Sequence, residues 1–212
     1  MKEETRVILK ELTERYPTLK GVENDILTAY ETLLNCFEKG NRLYLCGNGG
    51  SASDCEHIAG ELLKKFKKYR PLKKEFSENL KQLGEEGAFL ADSLEGGLPA
   101  VSLCGHPSLT TAFANDNDPV LCFAQQLGAF GNKGDVLITI STSGNAKNCA
   151  YAALVAKAKD MKVVFLGGGN GGKLKTIADV SVIVPEKETF KVQELHLPVY
   201  HCLCAMLENE IF

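Results

Sequence analysis

The stretch Arg42-Leu43-Tyr44-Leu45-Cys46-Gly47-Asn48-Gly49-Gly50-Ser51-Ala52-Ser53 decides the fold. Arg42 to Cys46 is a short, mostly apolar run that stops at a cluster of glycines, the pattern of a buried strand entering a turn. A helix is expected from Ser51. The same alternation recurs downstream, with strands expected near Ala100–Cys104, Val136–Ser141, Val163–Leu166 and Val180–Val184, separated by segments long enough for crossover helices. Such a chain is α/β: a parallel sheet with helices on both faces, whose strands are buried on both sides. Ligands in these sheets bind beyond the carboxyl ends of the strands, so the turns at Gly47 and Ser141 are the places to look.

Upstream, residues 1–40 carry apolar side chains at helical spacing, including Val7, Ile8 and Leu12, then Ile26, Leu27, Tyr30, Leu33 and Leu34. They predict two amphipathic helices broken near Tyr16-Pro17, good candidates for a subunit interface. Residues 71–97 are polar and glycine-punctuated, with helices expected around Phe76–Leu83 and Glu85–Ser93; the segment reads as a lid or an insertion. The last segment, Thr189 to Phe212, is helical in composition, but Pro198 should bend or break it.

The whole chain has 212 residues, enough for one sizeable core, so residues 1–212 are read as a single domain. A formal charge of −3 and a pI near 5.9 disfavour a nucleic-acid groove. The one basic run, Lys64, Lys65, Lys67, Lys68 and Arg70, is followed by acidic residues and reads as a solvated helix face, with a patch near an anionic ligand as the other reading. No window approaches eighteen apolar residues, which argues against a membrane span, and the charged start Met1-Lys-Glu-Glu-Thr does not resemble a signal peptide. The eight cysteines lie mostly in apolar runs and are read as reduced thiols of a cytoplasmic protein.

Both turns suit an anion. Asn48, Gly49, Gly50 and Ser51 place free backbone N–H groups and a hydroxyl at the start of a helix, where the macrodipole favours negative charge. Ser141, Thr142 and Ser143 repeat the logic with three hydroxyls in succession. The dinucleotide fingerprint is incomplete, because Ala52 stands at its last glycine position, and there is no Walker lysine. A nicotinamide or nucleoside triphosphate enzyme is therefore disfavoured.

His57 and Glu61 lie four apart and share a helix face leading from the first turn. The C-terminal helix supplies Gln193, Glu194, His196 and His201 among apolar residues, and polar groups so placed need partners. Taken together, Cys46–Ser51, His57 with Glu61, Asn115-Asp116, Ser141–Asn145 and Gln193-Glu194-x-His196 with His201 resemble the phosphoheptose isomerases, also called sedoheptulose 7-phosphate isomerases, of the sugar isomerase (SIS) domain superfamily.

That resemblance covers nearly the whole chain. It implies a five-stranded parallel sheet between helices, a flavodoxin-like three-layer arrangement, assembled as a homotetramer with active sites at subunit interfaces. It implies one zinc ion per site, held by His57, Glu61, Gln193 and His201, with Glu61 as catalytic base and His201 as partner acid in an aldose–ketose interconversion through an enediol. It assigns Ser51, Ser141, Thr142 and Ser143 to the phosphate and Asn48 and Asp116 to substrate contacts. The chain departs from the family pattern at Ala146, where a serine is common, at Thr189-Phe190-Lys191, where Asp-Arg is common, at Lys65, where an arginine is usual, and in the longer 71–97 stretch. Two other readings share the fold: a non-catalytic SIS tetramer that binds the bacterial replication initiator, and an isomerase of a different sugar phosphate. A sugar-sensing regulator would need a DNA-binding domain for which these residues leave no room.

Overall fold

The computed structural model describes residues 1–212. The chain runs α1 (Glu3–Arg15), a 3₁₀ turn over Pro17–Val22, α2 (Glu23–Glu38), β1 (Leu43–Gly47), α3 (Gly50–Leu63), α4 (Lys74–Lys81), α5 (Glu85–Ser93) and β2 (Ala100–Ser102). It continues with α6 (Pro107–Asp116), a short 3₁₀ turn, α7 (Cys122–Phe130), β3 (Val136–Ser141), α8 (Lys147–Ala158), β4 (Lys162–Gly168), α9 (Leu174–Ile177), β5 (Val180–Val184) and α10 (Thr189–Ile211). Each expected strand is present, although β2 stops at Ser102 rather than Cys104.

All five strands are parallel, in the order β2-β1-β3-β4-β5. Successive side chains alternate between faces, so Leu43 and Leu45 enter one core while Tyr44 and Cys46 enter the other. The larger core also holds Ile138, Leu166, Ile26, Leu33, Ile58 and Leu203, and lies under α1, α2, α3 and α10. The smaller one lies under α7, α8 and α9, where Ala150, Ala152, Ala153 and Ala156 let α8 approach Leu137 and Phe165 closely. The result is the expected three-layer α/β arrangement.

The sheet order places a topological switch point between β1 and β3, because the connections leaving these adjacent strands diverge to opposite sides. The two serine-glycine turns follow these two strands. No helix is long and apolar enough to cross a membrane.

Two sequence expectations are corrected. The basic run is not a helix face: α3 ends at Leu63, and the segment after it is irregular, with Arg70 fully buried in an ion pair to Glu208, Nε to Oε1 at 2.7 Å. An arginine in the interior needs a carboxylate that charge patterning along one segment does not reveal. Pro198 does not end α10, which runs unbroken from Thr189 to Ile211. Burial of Val192 before the proline and of Val199, Leu203 and Met206 after it, all in one core, outweighs the one backbone bond that proline forfeits. In residues 71–97, α4 and α5 pack on each other and leave Phe76, Leu83 and Phe89 exposed.

Candidate active site

The first turn is shaped by close approach. Gly49 has φ +57°, a left-handed conformation suited to glycine, and a Cβ on Gly50 would fall 2.6 Å from Gln193 Nε2. Gln193 at the start of α10 is thereby pressed against the start of α3. The second turn closes through Gly144 (φ +68°), whose N–H donates to Ser141 O at 3.1 Å. Asn145 braces it by accepting from Lys173 N at 3.1 Å and donating to Ser143 O at 3.0 Å. The first residue of α8 follows Ala146, which offers no side-chain cap, and among the leading N–H groups of that helix Cys149 donates to Asn148 Oδ1 at 3.0 Å.

The two turns are joined by a reciprocal amide pair. Asn48 Nδ2 donates to Asn148 Oδ1 at 3.0 Å and Asn148 Nδ2 donates to Asn48 Oδ1 at 2.7 Å. Asn148 escaped the sequence reading because it lies past the Ser-Thr-Ser-Gly-Asn run; its place in the first turn of the following helix was the available signal. Asn115 and Asp116, by contrast, are exposed at the end of α6 and hydrogen-bond each other at 2.9 Å, and no hydrogen bond joins them to either turn.

Further along α3, a second group gathers around His57. His57 Nε2 lies 3.3 Å from Glu61 Oε1 and 3.4 Å from His201 Nε2. Its other nitrogen, Nδ1, lies 3.0 Å from the hydroxyl of Tyr200, which donates to Asp54 Oδ1 at 3.2 Å. Glu61 Oε2 faces Lys64 Nζ at 3.5 Å. Burial and the neighbouring His57 push the His201 imidazole below the ordinary histidine range, with Glu61 opposing. Burial lifts the Asp54 carboxyl, against the pull of Tyr200 and His57, and burial followed by the Asp54 charge lifts the Tyr200 phenol.

Of the polar residues on α10, then, His201 joins His57 and Glu61, while Gln193 sits about 10 Å away along α3, seven residues back at Gly50. Glu194 is exposed, and His196 is buried on the other side of the helix, its Nε2 3.2 Å from Gly167 O. Desolvation drives the His196 pKa down to about 4, so it is a neutral packing residue.

The donor set suits zinc in kind: two imidazole nitrogens and a carboxylate oxygen. The separations of 3.3 and 3.4 Å also match the edge of a tetrahedron around a zinc ion bonded at 2.0–2.1 Å, which is about 3.3 Å. The contacts run in series through His57, and no group of three His, Cys, Asp or Glu side chains is drawn together as a ready metal cluster.

The model of the SIS domain family matches residues 9–86 and 95–168. A phosphoheptose isomerase from Methylibium petroleiphilum is 37% identical over 88% of this chain and 82% of its own length, and one from Helicobacter pylori is 37% identical over 94% and 90%. The chain belongs to the phosphoheptose isomerase family. The solved structure of the phosphoheptose isomerase from Neisseria gonorrhoeae superposes with a TM-score of 0.72 at 30% identity, covering 97% of this chain and 94% of that one. The corresponding structure from Francisella tularensis gives 0.76 at 29% identity over 92% and 91%. The family match is interrupted between residues 86 and 95, within the α4–α5 hairpin.

Three further residues in or beside this candidate site were not singled out from the sequence. Asp54 stands three residues before His57, a spacing that puts both on one helix face and was legible. Tyr200 had no such signal, because it is the chain neighbour of His201 on α10 and meets Asp54 and His57 only through packing of α10 on α3. Glu208 ties the segment after α3 to α10 and, through Arg70, reaches the carbonyls of Glu61 and Leu62.

Proposed function

We propose that this chain interconverts sedoheptulose 7-phosphate and D-glycero-D-manno-heptose 7-phosphate, an aldose–ketose isomerisation. The observation that carries the reading is the convergence of Glu61 and His201 on His57 Nε2, at 3.3 and 3.4 Å, because enediol chemistry needs a base and an acid within reach of adjacent carbons. Membership of the phosphoheptose isomerase family supplies the substrate class.

In this scheme the phosphate lies between the N–H groups and hydroxyls of Gly49, Gly50, Ser51, Ser141, Thr142 and Ser143, with Asn48, Asn115, Asp116 and Gln193 towards the sugar. Glu61 Oε2 takes the proton from C1 of the ketose and returns it at C2. His201 gives a proton to the C2 carbonyl oxygen and recovers one from the C1 hydroxyl, so the net change is a moved hydrogen pair. Zinc, held by His57, Glu61 and His201 with Gln193 as the fourth residue of the set, would act as a Lewis acid on the oxygens where charge develops. Gln193 would have to leave Gly50 to join it. Residues 1–212 are taken as one SIS domain, forming a homotetramer in the cytoplasm. Support for shared sites comes from a cavity of about 380 Å³ beside His201, walled by Ile8, Leu12, Phe66, Leu197 and Pro198, where the site opens between α1 and α10.

The test is incubation of zinc-loaded protein with sedoheptulose 7-phosphate, following formation of the aldoheptose phosphate. Product should form, and Glu61→Gln should lower kcat by roughly 10²–10⁴-fold, the usual worth of a positioned base. No product from folded, metal-loaded tetramer would overturn the assignment in favour of another sugar phosphate or a binding role.

A further inference from the structure

We infer that Tyr200, braced by Asp54, is a positioning residue that fixes the tautomer of His57 and leaves His57 Nε2 bare on the side shared with Glu61 and His201, as a metal ligand must be. The inference deepens the reading of His57 as part of the reacting group and rests on it.

A phenol has one proton to give. The Tyr200 hydroxyl donates it to Asp54 Oδ1 at 3.2 Å, since a carboxylate can only accept. Towards His57 Nδ1, 3.0 Å away, the same oxygen can then only accept. A neutral His57 therefore carries its proton on Nδ1 and presents a bare Nε2, the form that holds a metal or receives a proton. Imidazoles in such roles ordinarily have their second nitrogen oriented by a carboxylate, and here the carboxylate acts through a phenol.

The packing of the phenol points the same way, while Glu61 Oε1, an acceptor 3.3 Å from the bare Nε2, needs the metal ion the set would hold between them. Tyr200 is buried, with its ring edge-on to His57 (centroids 5.4 Å apart, 73°) and to His201 (5.0 Å, 81°), so one rigid side chain spaces both imidazoles. Asp54 makes no side-chain hydrogen bond except to Tyr200, and its Oδ2 is buried without a partner. A carboxylate left half-satisfied costs stability, so packing alone gives no reason for an acid here. Its service to Tyr200 does.

The experiment uses the full chain, which has four histidines, so the imidazole nitrogens can be read individually by ¹⁵N long-range correlation spectra, with His57→Gln for assignment. Zinc-loaded wild type should show His57 as the Nδ1–H tautomer. Asp54→Ala touches neither ring, yet it releases the phenol proton to be donated to Nδ1, and should convert His57 to Nε2–H. Asp54→Asn, which still offers an oxygen to Tyr200, should retain the wild-type tautomer. Tyr200→Phe keeps the ring and its packing, and should weaken zinc, measured by competition with a chromophoric chelator, by about 10–100-fold. A wild-type His57 in the Nε2–H form, or Asp54→Ala and Tyr200→Phe spectra and zinc affinity unchanged from wild type, would overturn the inference. Zinc bound equally well by His57→Gln would instead overturn the placement of His57 in the metal set, while the tautomer spectra would still decide the role of Tyr200.

Discussion

Replacing Glu208 by alanine tests what holds the far end of α3 in place. Glu208 is only 1% exposed, and its carboxylate accepts from the backbone N–H groups of Phe66, Lys67 and Lys68 at 2.8, 2.7 and 3.0 Å and from Arg70 Nε at 2.7 Å. Arg70 directs its remaining donors to Leu62 O at 2.7 Å and Glu61 O at 2.9 Å. Burial alone would raise the Glu208 pKa, but the N–H groups of Phe66 and Lys67 and the Arg70 guanidinium outweigh it and hold the carboxyl below the ordinary glutamate range. Glu208→Ala strands a buried guanidinium and three backbone donors at once. Removing one partner of a buried ion pair costs about 3–5 kcal/mol, a large part of the 5–15 kcal/mol that a domain typically has. Glu208→Gln keeps one acceptor oxygen and should lose less, about 1–3 kcal/mol. Urea unfolding followed by circular dichroism, at one fixed protein concentration so that any assembly contributes equally, measures both. A loss under about 1 kcal/mol for Glu208→Ala, or equal losses for the two variants, would refute the reasoning.

Two other outcomes follow from the geometry. His196 is driven from an ordinary 6.5 to about 4 by burial, so the unfolded chain takes up its proton first as pH falls. Its stabilising contribution is complete above pH 6.5 and is lost on the way down to about pH 4, amounting to roughly 3 kcal/mol, since each tenfold change in proton affinity is worth about 1.36 kcal/mol. Wild type should show this slope in urea midpoints between those pH values, and His196→Gln, which keeps a donor for Gly167, should not. Asn148→Ala opens the amide pair with Asn48, at 3.0 and 2.7 Å, and loosens the joint between the two turns. Because the pair is exposed, stability should change by only about 0.5–1.5 kcal/mol, while KM for the sugar phosphate rises with a smaller change in kcat; an unchanged KM would sink the idea that the joint shapes the phosphate site.

The sheet was legible because its signal is local. Leu43 to Cys46 and Val136 to Ser141 are continuous buried runs that end at glycine or serine turns, and the order of these units fixes a parallel sheet. His57 with Glu61 was legible for the same reason, since i,i+4 spacing is a property of one helix. What stayed hidden required two segments that are distant in sequence. Arg70 looked like one more surface cation until Glu208, 138 residues away, was seen to bury it. Tyr200 carried no signal of its own, because only the packing of α10 on α3 sets it between Asp54 and His57. Pro198 misled in the other direction, because a local rule about proline says nothing of how firmly the flanking apolar residues of α10 are held.

In the function proposed above, the same two helices link a phosphate anchor at one place to proton transfer at another. Gln193 meets Gly50, and His201 meets His57; the offsets, eight residues on α10 and seven on α3, are nearly equal, so the helices run alongside in the same direction over about two turns. The turn proposed to hold the phosphate sits at the first contact, and the proposed acid–base group at the second, about 10 Å on. In that scheme, with both groups anchored to α3 and α10, the distance from phosphate to reacting carbons is set by the fold, and a sugar of the wrong length would present its carbonyl out of register with Glu61. Substitutions at the helix contacts should therefore act on substrate length preference more than on phosphate affinity, the opposite of substitutions at Ser141, Thr142 or Ser143.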